Sequence, residues 1–134
     1  MAGASAEYHE SLDVLKPETL DHHRAIVSIM EELEAIDWYD QRVDATNDAS
    51  LAAILAHNRD EEKEHAAMLL EWLRRRDPKL DEHLRGYLFT QQSVIEREHE
   101  LDARSANAST DTARAPGIGD GSLGIGSLRA EATR

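Results

Sequence analysis

Glu62 and His65 stand three residues apart in a stretch with neither Gly nor Pro between Glu18 and Asp77. If that stretch is helical, the two side chains differ by about 60° around the axis and about 4.5 Å along it, so both can reach one ion. Carboxylate oxygen and imidazole nitrogen are donors that suit iron, manganese and zinc. The pair alone is a weak signal, because an acidic chain with seven His produces the spacing by chance, and it recurs at Glu96 and His99. That second copy has no apolar line around it and is read as surface.

The weight comes from Glu32. Ala25, Ile29, Glu32, Ile36 and Tyr39 step by four and three residues, which is one line on a helix, apolar apart from Glu32 and the phenol. A carboxylate within an apolar line is costly unless it is paired, protonated or bound to a metal. Leu55, Asn58, Glu62, His65, Leu69 and Trp72 make a matching line further on. Di-iron carboxylate bundles take one Glu from each of two helices and Glu-x-x-His from each of two others. This chain supplies half: Glu32, Glu62 and His65. Two copies about a two-fold axis supply the whole set. Tyr39, on the same line as Glu32, is a candidate to orient a carboxylate by hydrogen bonding.

Other acids crowd the same region. Glu31, Glu32, Glu34, Asp37 and Asp40 fall within ten residues that include no base. Val27, Glu31, Glu34 and Trp38 form one neighbouring line, and His57, Glu61 and Glu64 another. Each reads either as a solvated face or as a low-affinity path that draws cations toward the main cluster. His9, His22, His23 and His83 lack such a setting.

The elements that must position these groups are helices. Ile26, Val27, Ile29, Met30, Leu33 and Ile36 recur at helical spacing, with Pro17 in the first turn. Asp44 to Ser50 is rich in turn formers, and Asn47 or Asp48 is the expected N-cap of a second helix. Leu51, Ile54, Leu55, Met68, Leu69, Trp72 and Leu73 carry that helix to Arg74–Arg76, where positive charge suits its C-terminus. Asp77 and Pro78 stop it and open a third, weaker helix over about Lys79 to Thr90. Such a hairpin buries too little to stand alone, so pairing of two hairpins into a four-helix bundle is expected from the core itself.

The chain beyond differs. Residues 1–95 hold 20 acids and 10 bases, while residues 96–134 hold 7 and 5, and five of the seven Gly lie between Gly117 and Gly126. The expected organisation is a helical body over 1–95, a disordered linker over 96–119 and a docking segment over 120–134. Leu123, Ile125 and Leu128 are apolar knobs spaced by Gly and Ser, suited to lying extended in a groove.

Composition narrows the function classes. No Cys excludes disulfides, thiolate metal sites and thiol nucleophiles. A net charge of −12 argues against nucleic acid and anionic membranes as partners. No long apolar run or basic-then-apolar leader is seen, so the expected compartment is the cytosol. No phosphate-cradling or nucleophile-elbow motif is present.

Arg24 to Asp44 and Leu55 to Met68, with Glu71 to Arg74, closely resemble the encapsulated ferritins over about residues 10–90. Asp120 to Arg129 resembles the peptide that loads cargo into encapsulin shells. The resemblance implies an all-α fold: an antiparallel two-helix hairpin plus a short helix, dimerising into a ferritin-like four-helix bundle, with a flexible C-terminal tail. It implies a ferroxidase that oxidises Fe²⁺ with O₂ at a di-iron centre held by Glu32, Glu62 and His65 of two chains. It further implies a ring-shaped decamer, a pentamer of dimers. At matching positions, Glu31, Glu34 and Trp38 would form a metal-access region and His57, Glu61 and Glu64 a peripheral cation site. Mineral would then accumulate in the lumen of the encapsulin nanocompartment. Two rival classes use the same residues: a bundle that binds O₂ or metal reversibly without turnover, and a non-enzymatic helical adaptor.

Overall fold

The structure, a computed structural model, describes residues 6–112. Among them it contains a 3₁₀ turn at Leu12–Val14 and four α-helices: α1 (Pro17–Ala45), α2 (Ala49–Arg74), α3 (Pro78–Tyr87) and α4 (Val94–Thr112). No strand occurs among the described residues. The chain divides into two units, Met1–Thr90 and Gln91–Arg134.

In the first unit, α1 and α2 form an antiparallel pair joined by three residues. Pro17 sits at the start of α1, where its missing N–H would have no partner anyway. The turn is set by short polar side chains. Thr46 Oγ1 accepts from the Asp48 N–H at 3.2 Å, and Asp48 Oδ1 accepts from the Leu51 N–H at 3.0 Å. Asp48 is thus the N-cap of α2. Asp77 caps α3, accepting from the N–H groups of Lys79 at 3.0 Å and Leu80 at 2.9 Å. That helix ends at Tyr87, short of the expected Thr90. Leu88 is extended and Phe89 enters the left-handed region at φ 61°, which a helix cannot contain.

The hairpin leaves its core incomplete. Ala25 and Leu73 are buried, while Ile26, Leu33, Trp38, Leu51, Ile54, Met68 and Leu70 are exposed. Two helices touch along one seam only, so the remaining apolar surface of each stays in water.

The second unit corrects the sequence expectation. Residues 96–119 were expected as linker, yet Val94–Thr112 is helical. The Arg97 N–H donates to the Ser93 carbonyl, and the Glu100 carboxylate accepts from Gln92, Arg97 and Arg104. Ala103, Ala106 and Ala108 are strong helix formers. Polar composition suggested disorder, but i,i+3 and i,i+4 ion pairs with Ala sustain a helix without an apolar face. Residues 113–134, including Leu123, Ile125 and Leu128, lie outside the described residues.

Candidate metal centre

Antiparallel pairing brings the middle of α1 against the middle of α2, and there Glu32 meets Glu62 and His65. One oxygen from each carboxylate and one imidazole nitrogen lie within 4.8 Å of one another. His65 Nδ1 stands 3.0 Å from Glu62 Oε2 and 3.7 Å from Glu32 Oε2. Both carboxylates are about three-quarters covered, with side chains 24 % and 23 % exposed, while the imidazole is half exposed. Among the described residues, this is the one group of three such donors close enough to share an ion.

Electrostatically the cluster is short of positive charge. Glu32 is pushed above its ordinary value, first by its hydrogen bond with Glu62, then by burial. Glu62 is held below its ordinary value by the same hydrogen bond and by His65. The hydrogen bond between the two carboxyls thus favours protonation of Glu32 over Glu62. The His65 imidazole is raised, chiefly by its hydrogen bond to Glu62. A divalent cation would compete with protons for these donors. The donor chemistry fits iron, since two largely covered carboxylates with one imidazole provide mixed oxygen and nitrogen ligation. One copy offers three residues; two copies offer four Glu and two His.

The other sequence-predicted residues stand apart from this group. Glu31 is exposed and Glu34 half-buried on α1. Trp38, 44 % exposed, walls a cleft with Gln41, Arg42 and Ala45. The Arg42 guanidinium lies 5.9 Å from the Trp38 ring and 5.4 Å from that of Tyr39. Tyr39 is half-buried on α1. His57 Nε2 pairs with Glu61 Oε1 at 3.1 Å, both well exposed, and Glu64 is exposed too.

Sequence reasoning missed Arg59. Its Nη1 donates to Asp40 of α1 at 2.9 Å and its Nε to Asp60 at 3.0 Å, one turn before Glu62. The available signal was opposite charge on two segments flanking a short turn. It also read Arg74 only as a helix-end charge, whereas Arg74 bonds to Glu71 and to Asp81 of α3.

A helical hairpin carrying two carboxylates and an imidazole in one seam defines the class: an all-α chain with a candidate metal-binding group. The chain belongs to the EncFtn-like family, whose sequence model matches residues 7–91. An encapsulated ferritin-like protein of Rhodospirillum rubrum is 62 % identical over 133 residues, covering 98 % of this chain and 94 % of that protein. An encapsulin nanocompartment cargo protein of Myxococcus xanthus is 44 % identical over 57 residues, 42 % of this chain and 44 % of its own length. The crystal structure of a Nitrosomonas europaea protein aligns with a TM-score of 0.63 at 63 % identity, covering 64 % of this chain and 94 % of that one. No α-helix among the described residues is long and apolar enough to cross a membrane.

Proposed function

We propose that this chain is a ferroxidase that oxidises Fe²⁺ to Fe³⁺ with O₂, as a cargo protein inside an encapsulin nanocompartment. The observation that carries this reading is the convergence of Glu32, Glu62 and His65 across the α1–α2 seam. The names of the relatives support the compartment and the ferritin-like role. Iron is the substrate here, and O₂ accepts its electrons.

The chain's own groups divide the work. Glu62, held below its ordinary value and hydrogen-bonded to His65, is ready to accept a cation, and Glu32 faces it as the second carboxylate donor. His65 presents Nδ1 as the nitrogen donor once deprotonated. Carboxylates tolerate the rise from Fe²⁺ to Fe³⁺ by changing between one- and two-oxygen contacts. The exposed apolar residues of α1 and α2 supply the surface on which a second copy completes both bundle and donor set. Metal should therefore favour the dimer, and the ring-shaped decamer implied by the family resemblance. Glu31, Glu34 and Trp38 are assigned to metal access, His57, Glu61 and Glu64 to a peripheral cation site, and Tyr39 to orienting a carboxylate. Leu123, Ile125 and Leu128 are assigned to docking in the shell, which places Fe³⁺ release, and the mineral, in its lumen.

The test is O₂ uptake with Fe²⁺ by the parent, Glu62→Ala and His65→Ala. Stoichiometric uptake by the parent alone is expected. Equal rates in the variants would refute the site, and reversible O₂ binding without iron turnover would refute the activity. Size-exclusion profiles unchanged by Fe²⁺ at several protein concentrations would refute the metal-linked assembly.

A further inference from the structure

His65 borders two environments. Its Nδ1 faces Glu62 and Glu32, and the same side chain walls a cleft of about 370 Å³ completed by Met68, Leu69 and Trp72. Met68 follows His65 by three residues, so it lies on the same helix face, about 4.5 Å further along α2. Met68 is 64 % exposed in the single chain, on the apolar surface where the second copy would close over the cleft. Trp72 is engaged elsewhere, with the His22 ring 5.6 Å away edge-on and the Arg76 guanidinium 3.9 Å from its ring centre. Among the groups around the cleft, the thioether is the one that a mild two-electron oxidant attacks.

We propose that Met68 is an oxidation site, converted to the sulfoxide by hydrogen peroxide formed at the adjacent carboxylate–imidazole centre. The inference rests on the ferroxidase reading above. The balance is closed. Two Fe²⁺ give one electron each to O₂, which takes up two protons and leaves as H₂O₂. The Met68 sulfur lone pair then attacks one peroxide oxygen; the O–O bond breaks, the S–O bond forms and water departs. Sulfur is oxidised by two electrons and peroxide is reduced by two. An apolar wall of the His65 cleft thereby becomes polar, a change that methionine sulfoxide reductases reverse. Met68 thus intercepts peroxide beside the centre before it reaches the lumen.

Met30 provides an internal control. It is half-buried on α1, two residues before Glu32 and therefore about 200° around the helix from it. Cleavage after Lys63 and Arg74 separates Met68 from Met30 for mass spectrometry. The full-length protein is supplied with Fe²⁺ in air, with catalase in the bulk solution. Sulfoxide at Met68 should exceed that at Met30 by about tenfold, set by nearness to the peroxide source. It should vanish without O₂ and in Glu62→Gln, and survive the catalase. Peroxide added without iron should oxidise the two methionines with much less contrast. Met68→Leu should keep the initial O₂ uptake and lose the added oxygen on that peptide. O₂ uptake with no excess at Met68, or an excess that catalase abolishes, overturns this inference while leaving the ferroxidase reading intact. Absence of O₂ uptake overturns both.

Discussion

The α1–α2 seam and the α2–α3 junction use similar side chains to opposite ends. At the junction, Arg74 donates to Glu71 through Nε and Nη2, both at 2.6 Å, and through Nη1 to Asp81. Arg75 Nε adds a 2.9 Å bond to Glu71, and Arg85 Nε reaches both oxygens of Asp81 at 2.9 Å. Three guanidiniums serve two carboxylates. Glu71 falls to about 2, and Asp81 is lowered by Arg85 and Arg74. In the seam, two carboxylates face one imidazole, and Glu32 rises rather than falls. The junction is electrostatically complete, and its charges never need another partner. The seam has a deficit of positive charge that an ion would fill. A carboxylate-rich cluster thus becomes a candidate site when the chain withholds arginine from it.

The sharpest way to break this contrast is to neutralise one acid in each cluster. Glu62→Gln should lower the initial rate of Fe²⁺ oxidation by about 100-fold or more, in line with losses seen when metal ligation is disturbed. Asp81→Asn should change it by less than about twofold, since structural ion pairs away from chemistry rarely touch rate. O₂ uptake, with circular dichroism to show both variants helical, checks the pair. Equal losses would mean that the two clusters do not differ in kind.

The next difference is in pH. His65 is raised above 6.5, mainly by its bond to Glu62. A group raised on folding stabilises the metal-free protein below its unfolded value, and that contribution fades as pH rises through the folded value. Metal affinity moves the other way, because the ion must displace the imidazole proton. It should rise by up to about tenfold per pH unit until His65 is deprotonated. At the junction, Glu71 is depressed from 4.5 to about 2, held by Arg74 and Arg75. Its contribution is full above 4.5 and is lost as pH falls toward 2. Between pH 6 and 8 the seam should titrate and the junction should not. Metal titration by calorimetry and thermal melts of the metal-free protein, both across that range, separate the two.

Stability should reverse the ranking of the two regions. Arg74→Met leaves Glu71 and Asp81 without their shared guanidinium and should lower the melting temperature by several degrees. Leu73→Ala, removing one of the few buried side chains beside it, should cost about 2–5 kcal/mol. Neither should lower Fe²⁺ oxidation under conditions where the variant stays folded. Thermal melts paired with O₂ uptake test this.

How much of this was legible in the sequence follows from the range of each interaction. Glu32 stood out because its own line, Ala25 to Tyr39, is otherwise apolar, and Glu62 with His65 because three residues span one helix face. Antiparallel pairing through a three-residue turn then fixes which parts of α1 and α2 meet, so the donor group followed from local pattern and turn length. Asp48 and Asp77 were readable as caps for the same reason. α4 was not, because its support is a set of side-chain ion pairs around Glu100 rather than an apolar stripe, and polar composition hides them. The Arg74–Asp81 bond was hidden too. It depends on how the α2–α3 turn folds back, which Asp77 and Pro78 announce without giving the angle.

The smallest effect lies between the two regions, at Arg59. Its bond to Asp40 at 2.9 Å crosses from α2 to α1 near the seam and invites the idea that it sets the register bringing Glu32 to His65. The physical argument is against that. Asp40 is 54 % exposed, Arg59 also bonds to Asp60, and Lys63 supports Asp60 in turn, so loss of one partner leaves the others. Exposed pairs of this kind hold little free energy in water. The register is set where side chains are withdrawn from water, at Ala25 and Leu73. Asp40→Asn should therefore move the melting temperature by about a degree or less and leave Co²⁺ affinity, measured by competition, within about twofold. The exchange variant Asp40→Arg with Arg59→Asp should behave alike. A loss of affinity beyond about tenfold in Asp40→Asn, restored by the exchange, would assign Arg59 to the seam. The contrast would then be redrawn: a guanidinium would be needed at the centre as well, one turn away from the carboxylates rather than on them.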